Sequence, residues 1–271
     1  MRIKQLITTE KRMIPSEQHR MRLLILRPAA QPDRSVPGVL WIHGGGYQSG
    51  SARSVYVTRA LPLAAKYGAV IVAPDYRLSK RYPYPAALQD CYAALLYLKE
   101  HAEELGVRPD QIMVGGESAG GGMTTALCML AHDRGEVNIA YQMPLYPMLD
   151  DRDTASSADN HAPNWNTRRN HIGWRLYLRG KAKERVSSYA APANQTDYAD
   201  LPPCYTFVGD GEPFYDETLA YVENLKKAGV KAEVDVYPTN MHAFDALSDD
   251  ALSREAIRNF EAHFEEALKL I

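Results

Sequence analysis

Ser118 lies in the pattern Gly-x-Ser-x-Gly, which reads Gly116-Glu117-Ser118-Ala119-Gly120. The apolar run 112–114 before it predicts a buried strand, and the small residues after it can enter a helix. A serine on a sharp strand-to-helix turn projects its hydroxyl out of the sheet, and flanking glycines leave room for the neighbouring backbone. The position therefore suits a nucleophile, provided that a base and an acid lie nearby.

A second glycine cluster, His43-Gly44-Gly45-Gly46, follows the apolar strand predicted over 38–43. Consecutive glycines expose backbone N–H groups and let a substrate oxygen approach closely. We predict that the N–H groups of Gly45, Gly46 and Ala119 form an oxyanion hole, in which each donor is worth about 3 kcal/mol of transition-state stabilisation. His43 is interpreted as a structural residue that holds this loop.

The base and the acid are expected further along the chain. Among eight histidines, His242 is the candidate base, because it follows a predicted strand in a short loop before the last helix. The chain order Ser…acid…His then places the acid after the strand 204–208. Asp210 and Glu212 both fit that place, and both are kept as candidates for orienting the imidazole.

Strands and helices alternate along the chain, which predicts an α/β fold with a mostly parallel twisted sheet and helices on both faces. A hairpin of 2–8 with 21–27 is expected to precede this pattern. A polar stretch at about 150–188 interrupts it and is interpreted as a small lid insertion with one or two helices. We expect one domain over 1–271 that carries this lid insertion. The lid insertion contains the aromatic residues Trp165, Trp174 and Tyr177. They either line an acyl or alcohol pocket or only pack within the lid.

Composition limits the function classes. The net charge is −2 and the charged fraction is 24%, with both signs interspersed, so we expect no binding to nucleic acid or to an anionic membrane. No apolar run approaches a membrane span, and the first residues lack the apolar core of a signal peptide. The three cysteines contain no C-x-x-C pair, which favours reduced core residues of a cytoplasmic protein without a metal site.

The motifs together resemble the α/β-hydrolase superfamily and, within it, the hormone-sensitive-lipase-like bacterial esterases. The resemblance covers roughly residues 38–264. Its motifs are HGGG at 43–46, APDYRL at 73–78, YPYPAALQDCYAAL at 82–95, GESAGG at 116–121, YPMLDDR at 146–152 and the MHAF turn at 241–244. The resemblance implies an eight-stranded, mostly parallel sheet and cofactor-free hydrolysis of carboxylic esters, with Ser118 as nucleophile and His242 as base.

Three departures from the family pattern modify this expectation. Glu212 stands where the family usually has aspartate, and Ala243 replaces the usual glycine after the histidine. The long N-terminal helical segment that often forms half of the lid is missing, which predicts an open site that favours short acyl groups, from acetyl to butyryl.

Other readings of the same motifs remain. An amidase or formamidase and a carbohydrate acetylesterase would use the same residues. A non-catalytic binder of small molecules is disfavoured because the candidate base is present. The sequence is compatible with a homodimer but does not determine the oligomeric state.

Overall fold

One twisted eight-stranded sheet carries the elements of the site. The computed structural model describes residues 6–30, 35–180 and 186–270. The strands are β1 (Ile7–Ser16), β2 (His19–Pro28), β3 (Val36–Ile42), β4 (Val70–Pro74), β5 (Val107–Glu117), β6 (Tyr141–Leu145), β7 (Cys204–Gly209) and β8 (Ala232–Tyr237). They lie in the order β1-β2-β4-β3-β5-β6-β7-β8.

The sheet is parallel from β4 to β8, whereas the β1–β2 hairpin joins it antiparallel through β4. Every residue of β3, β4, β6 and β7 is buried, as expected for strands covered on both faces. Because the carboxyl ends of parallel strands share one edge, the loops after β3, β5, β7 and β8 gather there. That edge is where the candidate residues meet.

Helices cover both faces of the sheet. They are α1 (Ala60–Tyr67), α2 (Ala86–Glu100), α3 (Ala102–Leu105), α4 (Ala119–Arg134), α5 (Ala155–Ala158), α6 (Thr167–Tyr177), α7 (Tyr215–Lys227), α8 (Phe244–Leu247) and α9 (Ala251–Leu270). Side chains alternate along β3, so that Leu40 packs in the core with α2 and α4, whereas Trp41 packs in the core with α1 and α9. The predicted α/β-hydrolase fold is confirmed.

The expected leading hairpin is present, but the bounds of its first strand were wrong. The first strand of the hairpin is β1 at Ile7–Ser16, not 2–8, and residues 2–5 lie outside the described part of the chain. β1 is an edge strand with mostly exposed or half-buried residues, so it lacks the apolar alternation that would have marked it. A short 3₁₀ helix (Ala52–Tyr56) precedes α1.

The insertion between β6 and β7 contains α5 and α6, within the predicted range of 150–188. All three cysteines are buried and free.

Candidate active site

Ser118 joins the end of β5 to the first turn of α4. Its backbone has φ 58° and ψ −120°, a strained conformation for a residue with a side chain. The strain is held by backbone hydrogen bonds: the Ser118 N–H donates to Leu145 O at 3.0 Å, and Ser118 O accepts from Met148 N–H at 3.1 Å. The turn thus lifts the serine hydroxyl above the sheet edge.

The two flanking glycines are required by backbone contacts. A Cβ on Gly120 would lie 2.1 Å from the carbonyl oxygen of Ile42, and a Cβ on Gly116 would lie 2.5 Å from the same oxygen. Both distances are shorter than any van der Waals contact, and the obstacle is backbone that cannot move aside. The two glycines of the Gly-x-Ser-x-Gly pattern are therefore required because β3 packs closely against the serine turn and the start of α4.

The hydroxyl of Ser118, the imidazole of His242 and the carboxylate of Glu212 form one hydrogen-bonded chain. Ser118 Oγ lies 2.8 Å from His242 Nε2, and His242 Nδ1 contacts Glu212 Oε2. The other carboxylate oxygen, Glu212 Oε1, accepts the Gly209 N–H at 2.8 Å. Because a carboxylate only accepts, it holds Nδ1 as the donor and leaves Nε2 to accept the serine proton.

The structure separates the two candidate acids. Glu212 is fully buried beside the imidazole, whereas Asp210 is exposed at the end of β7. The Asp210 N–H donates to the carbonyl oxygen of Tyr237, so that its backbone continues the pairing with β8. Of the two candidates, Glu212 is the one next to His242.

The glycine loop, residues 43–46, follows β3 and lies against the serine turn. A Cβ on Gly44 would be 3.2 Å from Ser118 Cβ, which shows how closely the two segments approach. Gly45 and Gly46 have φ values of 117° and 58°, in the region that favours glycine. Ala119 is the first residue of α4, where N–H groups lack an intrahelical acceptor. Of the three predicted donor residues, Ala119 directly follows the serine, and Gly45 and Gly46 continue the loop whose Gly44 packs against the serine turn.

His43 stabilises the glycine loop through contacts with Gly44 and Tyr76. Its Nδ1 lies 2.7 Å from Gly44 O, its ring stacks on Tyr76 at 4.1 Å, and the Tyr76 hydroxyl donates to His43 O at 2.8 Å. Burial lowers the pKa of His43 to about 4, against the smaller opposing effect of the Gly44 contact. A neutral ring with two fixed contacts has the structural role expected for this histidine.

A buried polar cluster lies beneath the imidazole. The Tyr146 ring packs edge-on against His242 at 4.9 Å, and its hydroxyl donates to Asp245 Oδ1 at 2.9 Å. Asp245 also pairs with the guanidinium of Arg59 at 3.1 Å. Glu117, next to the serine, accepts the Trp41 indole N–H at 2.8 Å.

The lid insertion contacts the parts that carry the acid and the base. Its Asn160 amide donates to Gly211 O at 3.1 Å, beside Glu212. The Trp165 ring lies 6.2 Å from the His242 ring and the same distance from the Phe214 ring. In contrast, Trp174 and Tyr177 pack on Tyr47, the residue after the glycine loop. Only Trp165 among these three aromatics has its ring close to the imidazole.

Sequence reasoning missed several residues that contact the base: Tyr146, Asn164, Phe214 and, through Tyr146, Asp245. Asp245 directly follows the MHAF turn, and Tyr146 begins the YPMLDDR motif, so the motifs themselves were the available signal. Asn164 sits in a polar stretch with no motif, and no local pattern marked it.

In the described part of the chain, no helix combines the length and the apolar character needed to cross a bilayer.

Comparisons with known proteins find relatives of this chain by sequence and by fold. A family model described as alpha/beta hydrolase fold matches residues 39–246. Esterase LipI of Mycobacterium tuberculosis is 33% identical over 220 residues, which cover 80% of this chain and 68% of that protein. The ethyl acetate hydrolase of Pseudomonas putida is 29% identical over 231 residues, which cover 83% and 72% of the two chains. The solved structure of a bacterial heroin esterase superposes with a TM-score of 0.89 at 33% identity, covering 94% of this chain and 82% of that one.

Proposed function

Since the chain belongs to the α/β-hydrolase fold family and is a carboxylic ester hydrolase, we propose that it is a serine esterase of short-chain esters that works through an acyl-enzyme on Ser118. The observation that carries the proposal is the hydrogen-bonded chain from Ser118 Oγ through the His242 imidazole to Glu212. These groups lie far apart in sequence, and a nucleophile, a base and an orienting carboxylate are what acyl transfer requires.

In the first step, His242 Nε2 takes the Ser118 proton as Oγ attacks the ester carbonyl carbon. The negative charge that develops on the carbonyl oxygen is stabilised by the N–H groups of Gly45, Gly46 and Ala119. The protonated imidazole is stabilised by Glu212, whose position is set by the Gly209 N–H. Collapse of the tetrahedral intermediate expels the alcohol, which receives its proton from His242.

In the second step, water attacks the acyl-enzyme carbonyl, with His242 again as base. The second tetrahedral intermediate releases the carboxylic acid and returns the proton to Ser118. The reaction balances with water as the second reactant: one ester and one water give one acid and one alcohol.

A preference for short acyl groups is supported by the position of Trp165. A Cβ on Gly46 would lie only 2.3 Å from the tip of the Trp165 indole. The indole therefore occupies space beside both the glycine loop and the imidazole, where the acyl or alcohol part of a substrate has to lie. The name of the Pseudomonas putida relative, ethyl acetate hydrolase, describes a substrate of matching size.

The decisive experiment is Ser118→Ala, measured with p-nitrophenyl acetate and with a fluorophosphonate probe. We expect kcat to fall by about 10⁶-fold, the scale of triad loss in serine hydrolases, and covalent labelling of the protein to disappear. Retained activity in a folded Ser118→Ala protein would refute the serine mechanism. A parallel panel of anilides and acetylated sugars separates the esterase from an amidase or a carbohydrate acetylesterase.

A further inference from the structure

Asn164 of the lid insertion binds the backbone of the candidate base through both ends of its amide. The His242 N–H donates to Asn164 Oδ1 at 3.1 Å, and Asn164 Nδ2 donates to the carbonyl oxygen of His242. Only this orientation of the amide satisfies both contacts, because a flipped amide would set donor against donor and acceptor against acceptor. Asn164 is half-buried. Its side-chain amide makes the same two hydrogen bonds to His242 that a neighbouring strand would make through its backbone.

We propose that Asn164 is a positioning residue that holds His242 in register with Ser118, a role that rests on the proposed serine mechanism. Two hydrogen bonds to the N–H and C=O of one residue restrict its backbone torsions and hence the direction in which its side chain leaves the backbone. The reaction depends on that direction, because the imidazole must reach Ser118 Oγ on one side and Glu212 on the other.

The loop that carries His242 is held on both sides of the histidine. After it, the Ser253 hydroxyl donates to Phe244 O at 3.0 Å and the Arg59 guanidinium donates to Asp245 O at 3.2 Å. The Gly211 N–H donates to Thr239 O at 3.1 Å, which ties the beginning of the loop to the acid segment. Directly after the histidine, Ala243 has φ 59°, a left-handed conformation that costs about 1 kcal/mol for a residue with a side chain. His242 therefore lies between anchored segments, next to a strained residue, and Asn164 of the lid insertion binds its own N–H and C=O.

Asn164 is itself fixed by the lid insertion. The guanidinium of Arg169 donates to Asn164 O, and Asn166 caps α6 by accepting the Arg169 N–H at 3.1 Å. The position of the base is consequently coupled to the position of the lid insertion. Displacement of this segment would break both contacts to His242 at once.

The test compares Asn164→Ala and Asn164→Asp with the wild-type protein. Misplacement of a catalytic group by about 1 Å costs on the order of 100-fold, so we expect kcat for p-nitrophenyl acetate to fall about 30- to 100-fold in Asn164→Ala, with KM changed by less than about threefold. Labelling by the fluorophosphonate should slow in proportion. Asn164→Asp keeps the shape but sets a carboxylate oxygen against the His242 carbonyl, so we expect at least as large a loss.

Asn166→Ala is the matched control, because this neighbour caps α6 without a hydrogen bond to His242 among the described contacts. We expect it to lower the melting temperature while kcat stays within about threefold of wild type. Equal losses in the Asn164 and Asn166 variants would mean that order of the lid insertion alone matters and would overturn the inference. Wild-type kcat in Asn164→Ala, or in Asn164→Asp should the alanine variant not fold, would overturn it as well.

Failure of the serine mechanism gives a different result. In that case the wild-type protein would not be labelled, or Ser118→Ala would keep its activity, whatever the Asn164 variants do. The inference alone fails when wild type and Ser118→Ala behave as proposed and Asn164→Ala equals wild type.

Discussion

At the scale of single residues, Glu212 uses one more methylene than an aspartate to reach the imidazole. Its carboxylate is fully buried and is fixed by the Gly209 N–H as well as by His242. An aspartate at this position would have to retain both contacts with a shorter side chain. The glutamate side chain at position 212 is therefore long enough to reach both partners from this loop, in which Pro213 and Phe214 follow directly.

The reach and the charge of the Glu212 side chain predict graded effects of substitutions at this position. We expect Glu212→Asp to lower kcat by about 10- to 100-fold through misplacement of the imidazole. Glu212→Gln should lower it by about 10⁴-fold, because an amide no longer stabilises the imidazolium and favours the wrong tautomer. Steady-state kinetics with p-nitrophenyl acetate measures both.

Asp210→Asn provides the matched control for the acid. Asp210 is exposed and lies two residues before Glu212, so we expect kcat within about twofold of wild type. A large loss in Asp210→Asn together with a small loss in Glu212→Gln would assign the acid to Asp210 instead.

At the scale of elements, the lid insertion is bound to the rest of the site through the first turn of α7. Glu217 Oε1 accepts the Leu149 N–H at 2.6 Å, where the insertion begins, and Asp216 Oδ2 accepts the Ser156 N–H at 2.7 Å, where α5 begins. Carboxylates in the first turn of a helix also interact favourably with the helix dipole. The side chains of Asp216 and Glu217 hold the insertion, and with it Trp165, in place over the sheet edge.

The position of Trp165 predicts a change in chain-length preference. We expect Trp165→Ala to raise the ratio of kcat/KM for p-nitrophenyl hexanoate over acetate by about tenfold or more, because each accommodated methylene is worth about 1–3 kcal/mol in a hydrophobic pocket. Trp174→Phe is the control, since Trp174 packs on Tyr47 and Tyr177. A uniform change across all chain lengths in Trp165→Ala would show that the indole does not limit the acyl pocket.

At the scale of the whole molecule, the buried polar cluster beneath the site joins β3, β5, α1 and α8. Burial raises the pKa of Glu117, contacts with Thr58 and Trp41 and the charge of Arg59 oppose this rise, and the charge of Asp245 adds to it, so that the pKa lies at about 8. Burial also raises the pKa of Asp245, which Arg59 opposes. A protonated Glu117 at neutral pH avoids a second negative charge in the cluster that already contains the Arg59–Asp245 pair.

The raised pKa of Glu117 predicts how stability depends on pH. Between about pH 4.5 and pH 8 the folded protein keeps a proton that the unfolded chain has lost, so this group makes the free energy of unfolding decrease as pH rises through that window. Glu117→Gln keeps an acceptor for the Trp41 N–H but removes the titration. We expect a flatter pH dependence of the melting temperature in this variant.

Glu223→Gln is the control for this effect, because Glu223 is exposed on α7 and its pKa is lowered by Lys227. Above pH 5 it is ionised in both states and should leave the slope unchanged. The melting temperature is measured by calorimetry at pH 5, 6.5 and 8. If its pH dependence in Glu117→Gln equals that of the wild-type protein, Glu117 is not the group that titrates with a raised pKa.

Much of the fold could be read from the chain because the relevant signals are local. The apolar runs of β3, β4 and β5, the glycines around Ser118 and the order of serine, acid and histidine depend on backbone sterics and on neighbours a few residues away. The bounds of the edge strand β1 were misplaced because a strand that is exposed along most of its length needs no apolar pattern.

The sequence by itself thus determined the fold class, the serine turn and the place of the candidate base. Only the tertiary structure decided which acid contacts the imidazole, because Asp210 and Glu212 lie in the same loop. The turn after β7 buries the side chain of Glu212 and leaves that of Asp210 exposed. It also decided that Trp165 contacts the base while Trp174 and Tyr177 pack away from it. The pairing of Asn164 with His242 spans 78 residues, and no local pattern encodes a contact that exists only when two distant segments are folded onto the same sheet edge.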